Sequence, residues 1–103
     1  MTERKKNRYI TKAIAEELGP EIQDILWGIM DSVATERKEK MDYLQVFNIT
    51  TTVKGIRIVN KQEQPKFEEE YLIRNDNGIA NGNTTIWIID ESNFQTMMFP
   101  SDY

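Results

Sequence analysis

The sequence predicts an α+β domain in which two N-terminal helices pack on one face of a four- to five-stranded, mainly antiparallel sheet. Apolar residues recur at the helical period between Ile14 and Val33, and from residue 42 onwards they alternate at a period of two. Because the helical segments precede all the strands, an antiparallel sheet with helices on one side is favoured. A chain of 103 residues is expected to form a single domain, residues 1–103, with residues 1–10 as a basic N-terminal arm, flexible or ordered.

Two helices are predicted ahead of residue 41. The first covers residues 11–18, with Thr11 as its N-cap and Gly19 just after its end, and Pro20 suits the first position of the second helix. The second helix has an apolar stripe at helical spacing, formed by Ile22, Ile25, Leu26, Ile29, Met30 and Val33. Gly28 inside this helix indicates that a backbone or a large ring passes close by.

Four strands are predicted, at residues 42–50, 55–60, 65–73 and 84–90, and residues 95–99 could add a fifth. The first two are close enough in sequence to form a hairpin, and the fourth is expected to be central because its apolar residues are contiguous. The third strand has two alternating faces: Phe67, Glu69, Tyr71 and Ile73 on one, and Glu68, Glu70 and Leu72 on the other.

The composition excludes several kinds of chemistry. The chain has no Cys and no His, so Cys-zinc sites, Ser-His-Asp triads and His-based nucleases are impossible. It also lacks a glycine-rich phosphate-binding motif. We therefore expect a protein that is not an enzyme and has no catalytic residues, no cofactor and no metal. The sequence shows neither a secretory signal nor an apolar run long enough to span a membrane, so we expect it in the cytoplasm.

Charge is unevenly distributed along the chain. The net charge is −4, yet residues 1–12 contain five Lys or Arg and one Glu, so the remainder of the chain is strongly acidic. Because phosphate contacts need clustered basic residues, we expect no direct, specific binding of DNA by the acidic body. The basic arm could contact phosphate, or it could be an ordinary solvated terminus.

The sharpest charge feature is the run Glu68, Glu69 and Glu70. It is interpreted either as a partner-binding edge of the sheet or as an edge strand that charge protects from aggregation. Asp90 and Glu91 end the strand predicted to be central, where they could hold Mg²⁺ or merely form an acidic turn. These five carboxylates are the candidate partner-binding residues.

Apolar residues on the strands have two possible roles. Met97, Met98 and Phe99 are interpreted either as core residues or as a patch for self-association, so a homodimer is possible. The strand aromatics are predicted to be core residues rather than base-stacking ones; they are Tyr43, Phe47, Tyr71 and Trp87.

Four blocks of the sequence, in order, resemble the domain of unknown function family 960, which occurs in Firmicutes and in their phages and mobile elements. They are NRYITKAIAEELGPEIQDILWGIMD, MDYLQVFNI, VNKQEQPKFEEEY and IWIIDESNFQTMMFPSDY. The resemblance covers most of the chain and implies an α/β domain, but it supplies no catalytic residues. The chain also resembles type II-A anti-CRISPR proteins, which inhibit the RNA-guided Cas nuclease of the host.

The resemblance implies a non-enzymatic inhibitor that binds the Cas nuclease and hinders guide-RNA loading. An acidic body would be attracted to the positively charged channel of such a nuclease. One alternative is a structural or regulatory protein-binding module of a mobile element, with an unknown partner. A second alternative is a small metal-dependent nuclease that uses Asp90, Glu91 or the glutamate run.

Overall fold

The computed structural model describes residues 6–74 and 82–103, in which six strands and two α-helices are present. In chain order these are β1 (Asn7–Ile10), α1 (Lys12–Glu17), α2 (Pro20–Arg37), β2 (Leu44–Thr52), β3 (Gly55–Gln62), β4 (Phe67–Arg74), β5 (Gly82–Asp90) and β6 (Phe94–Met98). Single 3₁₀ turns follow α2 and β6, at Lys38–Lys40 and Pro100–Asp102.

The strands form one mixed sheet in the order β1-β6-β5-β2-β3-β4. Every neighbouring pair is antiparallel except β1 and β6, which are parallel. Strands β5 and β2 occupy the centre, as predicted for residues 84–90. Strand β4 is one edge of the sheet and β1 is the other.

The predicted architecture is wrong in two respects, although the α+β class is correct. The sheet has six strands rather than four or five, and it is mixed because β1 precedes the helices and pairs in parallel with β6. The helical layer consists of one long helix, α2, and a helix of only six residues, α1, and so differs from the predicted layer of two N-terminal helices. The extra strand lies in the segment interpreted as a basic arm, where four residues with two polar side chains gave no strand signal.

The core lies between the helices and one face of the sheet. Five of the six residues of the α2 stripe are buried there, with Leu26, Met30 and Val33 fully inaccessible to solvent, and Ile25 is partly buried. Burial of each such side chain stabilises the fold by about 1.5–3 kcal/mol. The expectation of a close neighbour at Gly28 is wrong, because a Cβ built on this residue would meet nothing within 4 Å.

The predicted hairpin between β2 and β3 is present, with Thr52 opposite Gly55 and only two residues between them. Gly55 is required by a close approach of the neighbouring strand. A Cβ at this position would lie 2.5 Å from the backbone oxygen of Ile73 on β4, which is too close for any side chain. The glycine therefore allows β4 to pair with β3 as far as the hairpin.

Candidate partner-binding surface

The three glutamates of the acidic run do not share one surface. Because β4 alternates between the two faces of the sheet, Glu69 points towards the helices while Glu68 and Glu70 point away from them. We call the face turned away from the helices the open face. On it, Glu68 lies 4.0 Å from Lys61 Nζ, and Glu70 accepts a hydrogen bond from Arg57 Nε.

Each outward glutamate thus has a cationic neighbour on β3. We call these four residues, Arg57, Lys61, Glu68 and Glu70, the charged ladder. The side chains are 44–57% exposed, so the pairs are screened by water and each contributes less than about 1 kcal/mol to stability. The ladder is balanced in sign, and this lowers the negative potential that the acidic run was expected to create.

Glu69 instead pairs with a buried arginine at the end of α2. The Arg37 side chain is only 2% exposed, and its Nη2 donates to Glu69 Oε1 at 2.7 Å and to Asn60 Oδ1 at 2.9 Å. Its Nη1 donates to Gln62 Oε1 at 2.9 Å and to Gln45 Oε1 at 3.3 Å. Because a buried cation is costly without a counter-charge, Glu69 has a structural role in neutralising Arg37.

The amide groups around the arginine extend this network to two loops. Gln62 Nε2 donates to the backbone oxygens of Lys40 and Pro65, both at 2.8 Å. Gln45 Nε2 donates to the backbone oxygen of Asp42 at 2.9 Å and to Gln62 Oε1 at 2.7 Å. The network therefore connects the segment after α2 to the segment after β3. It is an internal framework rather than an accessible site.

Sequence reasoning missed this network, although the chain contained a signal for it. Arg37 follows Val33 by four residues and so continues the apolar stripe of α2. Gln45 and Asn60 likewise occupy core-facing positions of β2 and β3 and are fully buried. Polar residues at several apolar positions of the pattern indicate a shared buried polar cluster, since each needs a hydrogen-bond partner.

Tyr71 lies on the same face as Glu69 and remains a neutral phenol. Burial raises the pKa of Tyr71 above its ordinary value of 10.0, and the nearby carboxylates of Glu69 and Glu36 raise it further. Arg37 acts in the opposite direction but does not reverse the shift. The Tyr71 hydroxyl lies 3.5 Å from Glu69 Oε2, so it adds a weak hydrogen bond to the edge of the network.

Asp90 and Glu91 lie far from the acidic run. Two strands, β2 and β3, separate β5 from β4, so three strand spacings of about 4.8 Å lie between them. Asp90 Oδ1 accepts hydrogen bonds from Lys6 Nζ at 2.7 Å and from Gln95 Nε2 at 3.0 Å. Glu91 is exposed beyond the end of the strand. The structure therefore does not bring the five candidate carboxylates together.

Two cations of the predicted basic arm are bound within the fold. Lys6 pairs with Asp90, and Arg8 on β1 pairs with Asp31 on α2. The Arg8 guanidinium also lies over the Trp27 ring, with Cζ 4.7 Å from its centroid. The Arg8 contacts tie β1 to α2, and the Lys6 contact reaches the end of β5, so both cations are paired within the fold. Residues 1–5 of the arm lie outside the described residues.

The three residues proposed for self-association lie in different environments. Met97 is fully buried in the core, and Phe99 is partly buried against it. Only Met98 belongs to the open face, as its register opposite Trp87 shows. The run therefore does not form a continuous exposed patch.

Several aromatic residues lie on the open face, over the half of the sheet that contains β1, β6 and β5. We call it the aromatic patch, and it consists of Tyr9, Trp87, Phe94 and Tyr103. It contains two edge-to-face pairs, Tyr9 with Phe94 at 5.9 Å and Trp87 with Tyr103 at 5.8 Å between ring centroids. Tyr9 is 53% exposed and Tyr103 is 81% exposed. Thus Trp87, predicted to be a core residue, lies on the face that the helices leave uncovered.

Two further properties concern residues 6–74 and 82–103. No group of three or more acidic side chains that could hold a metal ion is present there. Neither helix in this part of the chain is long and apolar enough to cross a membrane.

Comparisons with known proteins identify a family but not an activity. The model of a family described as staphylococcal protein of unknown function (DUF960) matches residues 7–102. A crystal structure of a protein of unknown function from Enterococcus faecalis has a similar fold, with a TM-score of 0.74 at 17% sequence identity. The similarity covers 95% of this chain and 91% of the enterococcal one. No curated protein matches the chain.

Proposed function

We propose a non-enzymatic, protein-binding function for this chain, which belongs to the DUF960 family of staphylococcal proteins of unknown function. The observation that carries the proposal is the aromatic patch on the open face. Tyrosine and tryptophan are enriched among the residues that dominate binding energy at protein interfaces. Each aromatic ring that a partner covers removes up to about 150–250 Å² of surface from water.

The charged ladder adds selectivity beside the patch. Its two acidic and two basic side chains lie on β3 and β4, while the patch lies on β1, β5, β6 and the C-terminal turn. An apolar area with a polar, charged neighbour is the usual arrangement of a protein interface. We expect the partner to contact the aromatic patch first and to meet the ladder at the rim.

The proposed partner is the RNA-guided Cas nuclease of a type II-A system in the bacterial cytoplasm, whose guide-RNA loading the protein would hinder. This choice of partner is supported by the sequence resemblance and by the net charge of −4, which favours approach to a cationic channel. Since the ladder is balanced in sign, we assign most of the contact energy to the aromatic patch.

The experiment compares Tyr9→Ala/Tyr103→Ala with the wild type and with a Val53→Ala control. Val53 is 72% exposed at the tip of the β2–β3 hairpin, so the control removes exposed apolar surface outside the patch. Cleavage of target DNA by a purified type II-A nuclease is measured with each protein added before or after the guide RNA. We expect the wild type and the control to inhibit only when added first, and the double variant to inhibit at least tenfold more weakly.

A second variant, with two charge reversals, tests the charged rim without damaging the fold. Reversing all three glutamates would unpair the buried Arg37, so the reversal is limited to Glu68→Lys and Glu70→Lys. We expect this variant to bind more weakly than the wild type. The difference in affinity should be larger at low salt than at high salt, because salt screens exposed charges. An unchanged affinity would remove the ladder from the interface.

The results also distinguish the alternatives. If no type II-A nuclease is inhibited, but purified host proteins bind the wild type and not the patch variant, the protein is a binding module with another partner. Mg²⁺-dependent RNA cleavage that is lost in Asp90→Asn would instead show a nuclease. The structure offers no observation in favour of that alternative, since Asp90 is already bonded to Lys6 and Gln95.

A further inference from the structure

The outer edge of β4 is the second surface of the protein that is suited to a partner. Strand β4 ends the sheet, and in the described part of the chain nothing pairs with its outer edge. Such an edge presents a row of unpaired backbone N–H and C=O groups to any strand that approaches. Two side chains on it are unusually accessible: Leu72 is 75% exposed, and Arg74 is exposed without an ion-pair partner among the described residues.

We propose that β4 pairs antiparallel with β4 of a second copy of this chain, with Tyr71 on the two-fold axis. The proposal does not require the protein-binding function above, although the edge of β4 includes two residues of the charged ladder, Glu68 and Glu70. It rests on which charges face each other in each possible alignment of the two strands.

Symmetry leaves few alignments to consider. When two copies of one strand pair antiparallel about a two-fold axis, the residue on the axis lies opposite its own copy. Alignments that keep at least five residues of β4 paired have Glu69, Glu70, Tyr71 or Leu72 on the axis. Like charges directly opposite each other are destabilising, and opposite charges are stabilising.

Charge excludes the first two alignments. With Glu69 on the axis, it faces its own copy and Glu68 faces Glu70 of the second copy, so every central pair is acidic. With Glu70 on the axis, that residue faces its own copy. With Tyr71 on the axis, no like charges are opposed, and Glu68 faces Arg74 of the second copy twice by symmetry.

The alignment on Tyr71 is also longer than the remaining one. It pairs the seven residues from Glu68 to Arg74, whereas an axis at Leu72 pairs only five. In the longer alignment, Leu72 lies opposite Glu70 of the second copy and covers its aliphatic stem. The acidic run thus opposes two of the four alignments, and of the two that it permits, the alignment on Tyr71 pairs more residues.

The absence of cysteine makes the alignment directly measurable. Three variants, Glu70→Cys, Tyr71→Cys and Leu72→Cys, each introduce a single thiol. A residue on the axis has its Cα atom about 4.5–5.5 Å from that of its own copy, within the range of a disulfide. A residue next to the axis lies farther from its own copy, outside that range. We expect Tyr71→Cys to form a disulfide-linked dimer at least tenfold faster than the other two under mild oxidation.

Charge exchange provides a test that leaves Tyr71 intact. Glu68→Arg and Arg74→Glu are each expected to weaken the dimer about tenfold in sedimentation equilibrium, and the double variant is expected to restore it. A two-strand seam is small, so the wild type is measured up to several hundred micromolar for a species of twice the 12.1 kDa chain mass. Glu16→Arg on α1 is the matched control, because it makes the same charge change on a helix that packs against β6, and three strands separate β6 from β4.

Several outcomes would overturn the proposal. One is a wild type that stays monomeric over this concentration range. Another is faster disulfide formation at residue 70 or 72 than at residue 71. The third is a double variant that dimerises no more strongly than the single variants. Restoration by the double variant together with the Tyr71→Cys disulfide would establish both the dimer and its alignment. The resulting twelve-stranded sheet would present both open faces on the same side, because a two-fold axis perpendicular to the sheet preserves its faces.

Discussion

Glu69 and Glu68 are adjacent and chemically identical, yet replacement of each by glutamine is predicted to have very different effects. Glu69 Oε1 accepts a 2.7 Å hydrogen bond from Arg37, whose side chain is 2% exposed. Glu68 lies 4.0 Å from Lys61, and both side chains are about half exposed. The pair of variants therefore measures the buried polar network against a surface ion pair in the same strand.

The magnitudes follow from burial. A hydrogen bond between charged groups contributes roughly 1.5–3 kcal/mol. The Glu69 side chain is 39% exposed and glutamine keeps an acceptor oxygen, so the loss is placed at the lower end, about 1–2 kcal/mol. Loss of the exposed Glu68 pair should change the free energy of unfolding by no more than about 0.5 kcal/mol.

Urea denaturation followed by far-UV circular dichroism gives both free energies of unfolding. For a domain of this size, the Glu69→Gln change corresponds to a fall in Tm of about 5–15 °C, which thermal denaturation would confirm independently. Arg37→Met gives a further comparison, because it removes the buried charge together with its need for a partner. Equal destabilisation by Glu68→Gln and Glu69→Gln would refute the assignment of Glu69 to the network.

Three other predictions concern stability. Gly55→Ala should destabilise the fold by roughly 1–3 kcal/mol, because its Cβ would collide with the backbone oxygen of Ile73, and urea denaturation should show this loss. Gly28→Ala is the opposite case: with nothing within 4 Å of a new Cβ, it should stabilise helix α2 by about 0.5–1 kcal/mol, and a lower Tm would show that the added methyl group is not accommodated. Burial raises the pKa of Tyr71, so its contribution to the free energy of unfolding is complete below pH 10 and is lost as the pH rises through the folded-state pKa. Tyr71→Phe should therefore lose stability less steeply than the wild type as the pH rises above about 10.

The secondary structure was predictable where the signal is local. The apolar stripe from Ile22 to Val33 identified α2, since one helical face has to be buried along its whole length. Alternation identified the strands from β2 to β6 and correctly separated Glu69 from Glu68 and Glu70. Each of these conclusions depends on residues within about ten positions of one another.

Strand β1 could not be found in this way. It has only four residues, and its pairing partner, β6, is more than eighty positions away in the chain. A short strand with polar residues becomes a strand only when a neighbour supplies its hydrogen bonds. The Arg8 contacts to Asp31 and Trp27 then hold it against the helical layer.

The candidate surfaces were likewise predictable from the sequence only in part. The sequence by itself determined that β4 has two alternating faces, that the chain lacks histidine and cysteine, and that α2 has one apolar side. Only the tertiary structure decided which face of the sheet the helices cover. That choice makes Glu69 the counter-charge of a buried arginine and leaves Trp87 on the open face. Periodicity shows that successive side chains of a strand point to opposite faces of the sheet. Which face the helices cover depends on contacts between segments that are distant in the chain.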